Sequence, residues 1–153
     1  MDVSQITDYL YIGTRRSAFD AEAVRRLDVH LIIDMVAFRR PPGQLQAQPA
    51  PVLWLPTVDF VLIPIPLKKL ARGVRAALPV IGDGHSILVY CEAGRHRSVA
   101  MASAILIAMG HTPEQAMALI VDKRPVADPY AWHIQRQIRR FPAYWQKHRQ
   151  EEP

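Results

Sequence analysis

Ser86-Ile-Leu-Val-Tyr-Cys-Glu-Ala-Gly-Arg-His-Arg-Ser-Val-Ala-Met-Ala-Ser-Ala-Ile-Leu-Ile-Ala-Met-Gly110 is the stretch on which the fold turns. Its first five residues are short and apolar enough for a buried strand, and Val99 to Met109 is an alanine-rich run of good helix formers that stops at Gly110. Between them lies Cys91-Glu-Ala-Gly-Arg-His-Arg-Ser98, in which the one cysteine of the chain stands six residues before an arginine, with a glycine between and a hydroxyl just after. The segment is predicted to be strand, loop and helix, in that order.

A loop that opens onto a helix N-terminus aims unpaired backbone N–H groups at one point, and the helix dipole adds partial positive charge there. Such a loop holds an oxyanion. Gly94 can take a positive φ and bring the backbone close to the ligand. A thiol in this setting is pushed toward thiolate, with pKa values of roughly 3.5–7.5 against about 8.5 when free, and the thiolate is the attacking form. Cys91 is therefore the candidate nucleophile. Arg97 has the planar fork that grips two phosphate oxygens at once. Ser98 could cap the helix or donate to the departing sulfur. Glu92, Ala93, Gly94, Arg95, His96 and Arg97 together form the expected phosphate-binding loop, with Arg95 and His96 at its rim.

Working outward, strand signals at Tyr9 to Ile12, Val29 to Ile33, Val52 to Leu55 and Ile87 to Tyr90 alternate with helical stretches near Phe19 to Leu27 and Leu67 to Leu78. This is the pattern of an α/β domain with a mostly parallel central sheet and helices on both faces. Gly82-Asp-Gly84 reads as the turn into the cysteine strand, which puts Asp83 at the end opposite the loop. Asp34, after an apparent strand, reads as a structural partner. Thr112-Pro-Glu-Gln115 combines a cap, a proline at the first helical position and a glutamine that completes a capping box, so a helix runs on toward Asp122. Asp128-Pro129 is expected to start the last helix in the same way. There Ile134, Ile138, Phe141 and Trp145 keep a core-facing helical spacing, and Pro142 should kink or interrupt it. Arg39 to Pro51, rich in proline and glutamine, reads as a surface loop.

Cys91 to Ser98 resembles the signature loop of the cysteine-dependent protein tyrosine phosphatases, and the chain's small size resembles their dual-specificity branch. In that branch a general-acid aspartate precedes the cysteine by some thirty residues. Asp59, in Trp54-Leu-Pro-Thr-Val-Asp59, stands 32 positions before Cys91. Ile6-Thr-Asp-Tyr-Leu-Tyr-Ile-Gly13 looks like the family's opening hairpin, and Arg124-Pro125, with Pro129 and Gln135, looks like its penultimate loop and closing helix. Two positions depart from the pattern: Tyr90 replaces the usual histidine before the nucleophile, and Tyr130 follows Pro129 where many relatives have asparagine. The resemblance implies a single catalytic domain over residues 1–153 and hydrolysis of phosphate monoesters through a phosphocysteine, with Cys91, Arg97, Asp59 and Ser98 catalytic. It implies no cofactor and no metal.

At 153 residues, half of them apolar, the chain can bury a core of its own. No apolar run is long enough to span a bilayer and no signal-peptide pattern opens the chain, which points to a cytoplasmic location. A lone cysteine fits a reducing compartment. The net charge of +5 suits anionic substrates, a phosphorylated protein or a small anionic phosphate. No nucleic-acid partner is expected, and nothing in the pattern sets an oligomeric state. Basic pairs such as Arg15-Arg16 and Lys68-Lys69 read as solvated faces. His30, His85, His111, His133 and His148 show no metal-ligand spacing and read as ordinary. The leading reading is a phosphatase for protein phosphotyrosine, and for phosphoserine or phosphothreonine as a further possibility. The alternative is a lipid or small-molecule phosphatase, since Ala93-Gly94-Arg95 resembles the loop of phosphoinositide and phosphatidylglycerophosphate phosphatases. A noncatalytic phosphate-binding module and a sulfurtransferase are disfavoured, because neither needs an upstream acid at this spacing.

Overall fold

The cysteine strand sits at the centre of the sheet. The computed structural model describes residues 2–41 and 50–151, so most of the Arg39 to Pro51 loop lies outside the described residues. Five strands, β1 (Val3–Thr7), β2 (Leu10–Thr14), β3 (Val29–Val36), β4 (Val52–Thr57) and β5 (Ser86–Cys91), are ordered β1-β2-β5-β3-β4. Among these five strands the β1–β2 hairpin is antiparallel; β5 pairs in parallel with β2 and β3, and β3 with β4. All six residues of β5 are buried, as a strand covered on both faces requires, and this is why it reads as an unbroken apolar run.

Four helices cover one face: α2 (Leu67–Gly82), α3 (Arg97–Ala108), α4 (Pro113–Lys123) and α5 (Trp132–His148). The main core lies there, built from Ile12, Ile33, Val89, Leu70, Val99, Ile105, Ile120, Ile138 and Phe141 among others. A 3-10 turn (Ser17–Phe19) and α1 (Ala21–Arg26) cover the other face through Ala18 and Val24, against Tyr11, Ile32, Leu88 and Tyr90. Among the described residues no helix is long and apolar enough to cross a membrane.

The Thr112 capping box forms as expected: Gln115 N donates to Thr112 Oγ1 at 3.1 Å, and Thr112 N donates to Gln115 Oε1 at 3.0 Å. The last helix begins later than its sequence suggests. Asp128 Oδ1 accepts from Ala131 N at 3.1 Å, which closes a turn in front of the helix, and α5 starts at Trp132. Pro142 does not interrupt it; the helix continues to His148. Burial of Ile134, Ile138 and Phe141 against the core outweighs the one backbone bond that proline removes.

Tyr90 and Cys91 alternate across the strand and belong to opposite cores. Tyr90 Oη donates to Asp34 Oδ2 at 2.5 Å, and Val36 N donates to Asp34 Oδ1 at 2.8 Å. Asp34 is thus the structural partner expected. Burial holds its carboxyl above the usual range, although the bonds from Tyr90 and Val36 oppose that rise. Such a group favours the folded state below the unfolded carboxyl pKa near 4, and this contribution is lost as pH climbs through the folded value. In Tyr90→Phe the buried carboxylate loses a donor. Urea unfolding should show a loss of about 1–3 kcal/mol, larger at pH 8 than at pH 5.

Candidate active site

The loop follows β5 at the C-terminal edge of the parallel strands, where α/β sheets present ligands. Cys91 Sγ lies 3.2 Å from the Oγ of Ser98, itself wholly buried in the first turn of α3. Gly94 has a φ of 63°, and a Cβ there would stand 2.6 Å from Arg124 Nη2 and 2.7 Å from the Gly13 carbonyl oxygen. Only glycine fits this position.

Arg124 is 1% exposed and anchors the loop. Its Nε donates to Gly94 O at 2.7 Å and its Nη2 to Ala93 O at 3.1 Å. Its Nη1 donates to Asp2 Oδ1 at 2.8 Å and to Ser4 Oγ at 3.0 Å. With two successive carbonyls drawn to the guanidinium, the peptide N–H groups face the other way. Among the described residues, the amides of Ala93, Gly94, Arg95 and His96 donate to no acceptor, and no side chain caps α3. These are the donors an oxyanion would take.

Arg97 is fixed from behind: its Nη1 donates to Thr57 O at 2.9 Å and to Met35 O at 3.4 Å. Its Nε is buried without a partner, so the side chain keeps a donor for a ligand. Asp59 follows β4 and is held twice, with Oδ2 2.9 Å from His96 Nδ1 and Oδ1 3.0 Å from His133 Nε2. Burial alone would raise this carboxyl. The hydrogen bonds from His133 and His96, with the electrostatic pull of His96 and Arg97, hold it below the usual carboxylate range.

The loop side chains point elsewhere. Glu92 turns outward to Arg39 Nη1 at 3.5 Å, and Arg95 is exposed, 3.8 Å from Asp128 Oδ2. Arg95 thus points toward solvent beside Asp128, whereas His96 turns inward to Asp59. Phe38, beyond β3, is 91% exposed with a φ of 64°. Beside His133, the side chains of Val61, Leu62, Pro64, Trp132 and Arg136 line a shallow depression. The structure therefore brings Cys91, Arg97 and Ser98 together, and sets Asp59 against His96 of the same loop. Sequence reasoning missed the anchoring role of Arg124 and the contact of His133 with Asp59. The Arg124-Pro125 motif was a signal for the first; nothing local signalled the second.

No protein-family model matches the chain. It is 32% identical to mouse dual specificity phosphatase 28 over 130 residues, 82% of this chain and 76% of the relative. It is also 41% identical to rat phosphatidylglycerophosphatase and protein-tyrosine phosphatase 1 over 73 residues, 47% of this chain and 37% of that relative. Among solved structures, a mouse putative dual specificity phosphatase complexed with zinc tungstate superposes with a TM-score of 0.84 at 29% identity, covering 95% of this chain and 89% of that one. The chain belongs to the dual-specificity phosphatase family, a branch of the cysteine-dependent protein tyrosine phosphatases.

Arg124→Met would leave the carbonyls of Ala93 and Gly94 without their donor. Chemical denaturation should then show a loss of about 1–3 kcal/mol, since these loop carbonyls lose their charged donor while the exposed Asp2 carboxylate is left to solvent.

Proposed function

We propose that the protein hydrolyses phosphate monoesters through a phosphocysteine on Cys91. The observation that carries this reading is the buried Nε of Arg97, unpartnered among the described residues, on a side chain fixed by Thr57 and Met35, beside a loop whose amides find no acceptor among those residues. Cys91 thiolate attacks phosphorus in line while the amides and Arg97 hold the equatorial oxygens. The P–O bond to the leaving group breaks, and Asp59 gives its proton to that oxygen. Water then attacks the phosphocysteine and gives a proton back to Asp59. The S–P bond breaks as the Ser98 hydroxyl, 3.2 Å from Sγ, donates to the departing thiolate.

The acid role asks Asp59 to carry a proton that its two histidines discourage. A phosphate dianion beside Arg97 offsets one of the charges that hold Asp59 ionised and adds negative charge of its own, so substrate raises the carboxyl at the moment it is needed. The rate should fall as pH rises through the Asp59 pKa, because the protonated form is lost. With phenyl phosphate, whose leaving group needs a proton, Asp59→Asn is expected to lower kcat by roughly 10²-fold or more and to flatten that limb of the pH profile. Cys91→Ser should abolish turnover; activity persisting there would overturn the mechanism.

Protein phosphotyrosine is the substrate class we favour, in keeping with the family, and a reducing cytoplasm would keep the lone thiol active. The apolar rim favours a second reading, a lipid phosphate. Phe38, Leu62 and Trp132 are all largely exposed, with Arg39 and Arg136 beside them. Side-by-side turnover of phosphotyrosine peptides and of vesicles carrying phosphoinositide or phosphatidylglycerophosphate decides between the two. Higher kcat/KM on the peptides is expected, and the reverse order would select the lipid.

A further inference from the structure

Asp59, His96 and His133 come from three elements: the loop after β4, the end of the phosphate-binding loop and the first turn of α5. Their donor atoms nevertheless lie within 4.8 Å of one another. Two imidazole nitrogens and a carboxylate oxygen are a ligand set for a zinc-like cation, with a fourth position left open. Ligands about 2.0–2.2 Å from a tetrahedral centre stand roughly 3.3 Å apart, so an ion replacing the shared protons asks for side-chain shifts on the order of 1 Å.

His96 supplies a second, separate mark. Its Nε2 is buried without a hydrogen-bond partner and lies 3.5 Å from Asp128 Oδ2. A neutral imidazole has one N–H. When Nδ1 donates it to Asp59, Nε2 turns a lone pair on the Asp128 carboxylate. With a cation on Nδ1 the proton resides on Nε2 and is donated to Asp128, the arrangement by which a second carboxylate orients a ligating histidine.

We propose that Asp59, His96 and His133 bind a divalent transition cation of zinc-like preference, oriented through Asp128, and that occupancy switches the enzyme off. Coordination exchanges the two hydrogen bonds for metal–ligand bonds. A neutral ring keeps its proton by moving it to its other nitrogen, and an imidazolium releases one proton to solvent. The occupied carboxylate cannot carry a proton to a leaving group. Binding is independent of turnover; the inhibitory consequence rests on the phosphatase reading above.

The test is a calorimetric Zn²⁺ titration of the full chain carrying Cys91→Ser and His85→Gln. These changes remove the thiol and the exposed Asp28, His30 and His85 trio as competing ligands. One equivalent should bind, and Co²⁺ in its place should give a tetrahedral absorption spectrum. Adding Asp128→Asn, which preserves a cap for Ala131, should weaken binding roughly 10–100-fold, and adding His133→Gln at least as much, with thermal melts confirming the fold. If His133→Gln fails to fold, Asp59→Asn takes its place. The site is overturned if no zinc binds, or if folded variants bind as tightly as their parent. In the wild-type enzyme, zinc at saturating occupancy should suppress turnover of phenyl phosphate and a chelator should restore it. Full turnover with the site occupied would refute the switch while leaving the phosphatase reading intact.

Discussion

A buried guanidinium holds two carbonyls, and the site depends on that contact. An uncompensated charge at Arg124 would cost the fold several kcal/mol. Here Ala93 O, Gly94 O, Ser4 and Asp2 satisfy it together, and the hydrogen bonds and charge of Arg124, opposed by burial, hold the Asp2 carboxyl below its usual range. The loop is thereby fixed with carbonyls on one side and amides on the other. Gly94 is the hinge that permits it, since the backbone is left-handed where Arg124 and Gly13 crowd closest. The contact also ties the edge strand β1 to a loop on the central strand.

Arg97 is fixed by the same logic from the opposite direction. Two carbonyls at the ends of β3 and β4 hold one of its nitrogens and leave another buried and unpaired. Asp59 is oriented by two histidines, and those bonds also keep it ionised in the free protein. Positioning and protonation pull against each other at this residue. In the mechanism proposed above, the approach of a doubly charged substrate relieves the conflict.

How much of this was legible in the sequence follows from how local each feature is. The apolar run of β5, the helical run from Val99 to Met109 and the Thr112 capping box are written within a few residues, and the structure holds each of them, with the helix running from Arg97 to Ala108. The start of α5 was misread because an aspartate followed by proline also builds a turn, which is what Asp128 does. Pro142 does not break the helix because burial of one helix face, a tertiary effect, outweighs a single lost backbone bond. His133 looked ordinary because its partner lies 74 residues away, and His96 was read as a rim residue because its partner lies 37 away. Spacing along the chain carries no trace of contacts made only when three elements converge. Tyr90 could be recognised as a departure, yet only the alternation of β5 reveals that it serves the opposite core.

Phe38 adds almost nothing to either hydrophobic cluster, and its left-handed backbone is one that a bulky L-residue enters at an energetic cost. Glycine would sit there more easily. Because the ring buries almost none of itself, replacing Phe38 with glycine would relieve the backbone with little loss of packing, so the stability of the isolated molecule gives no reason for an aromatic at that position.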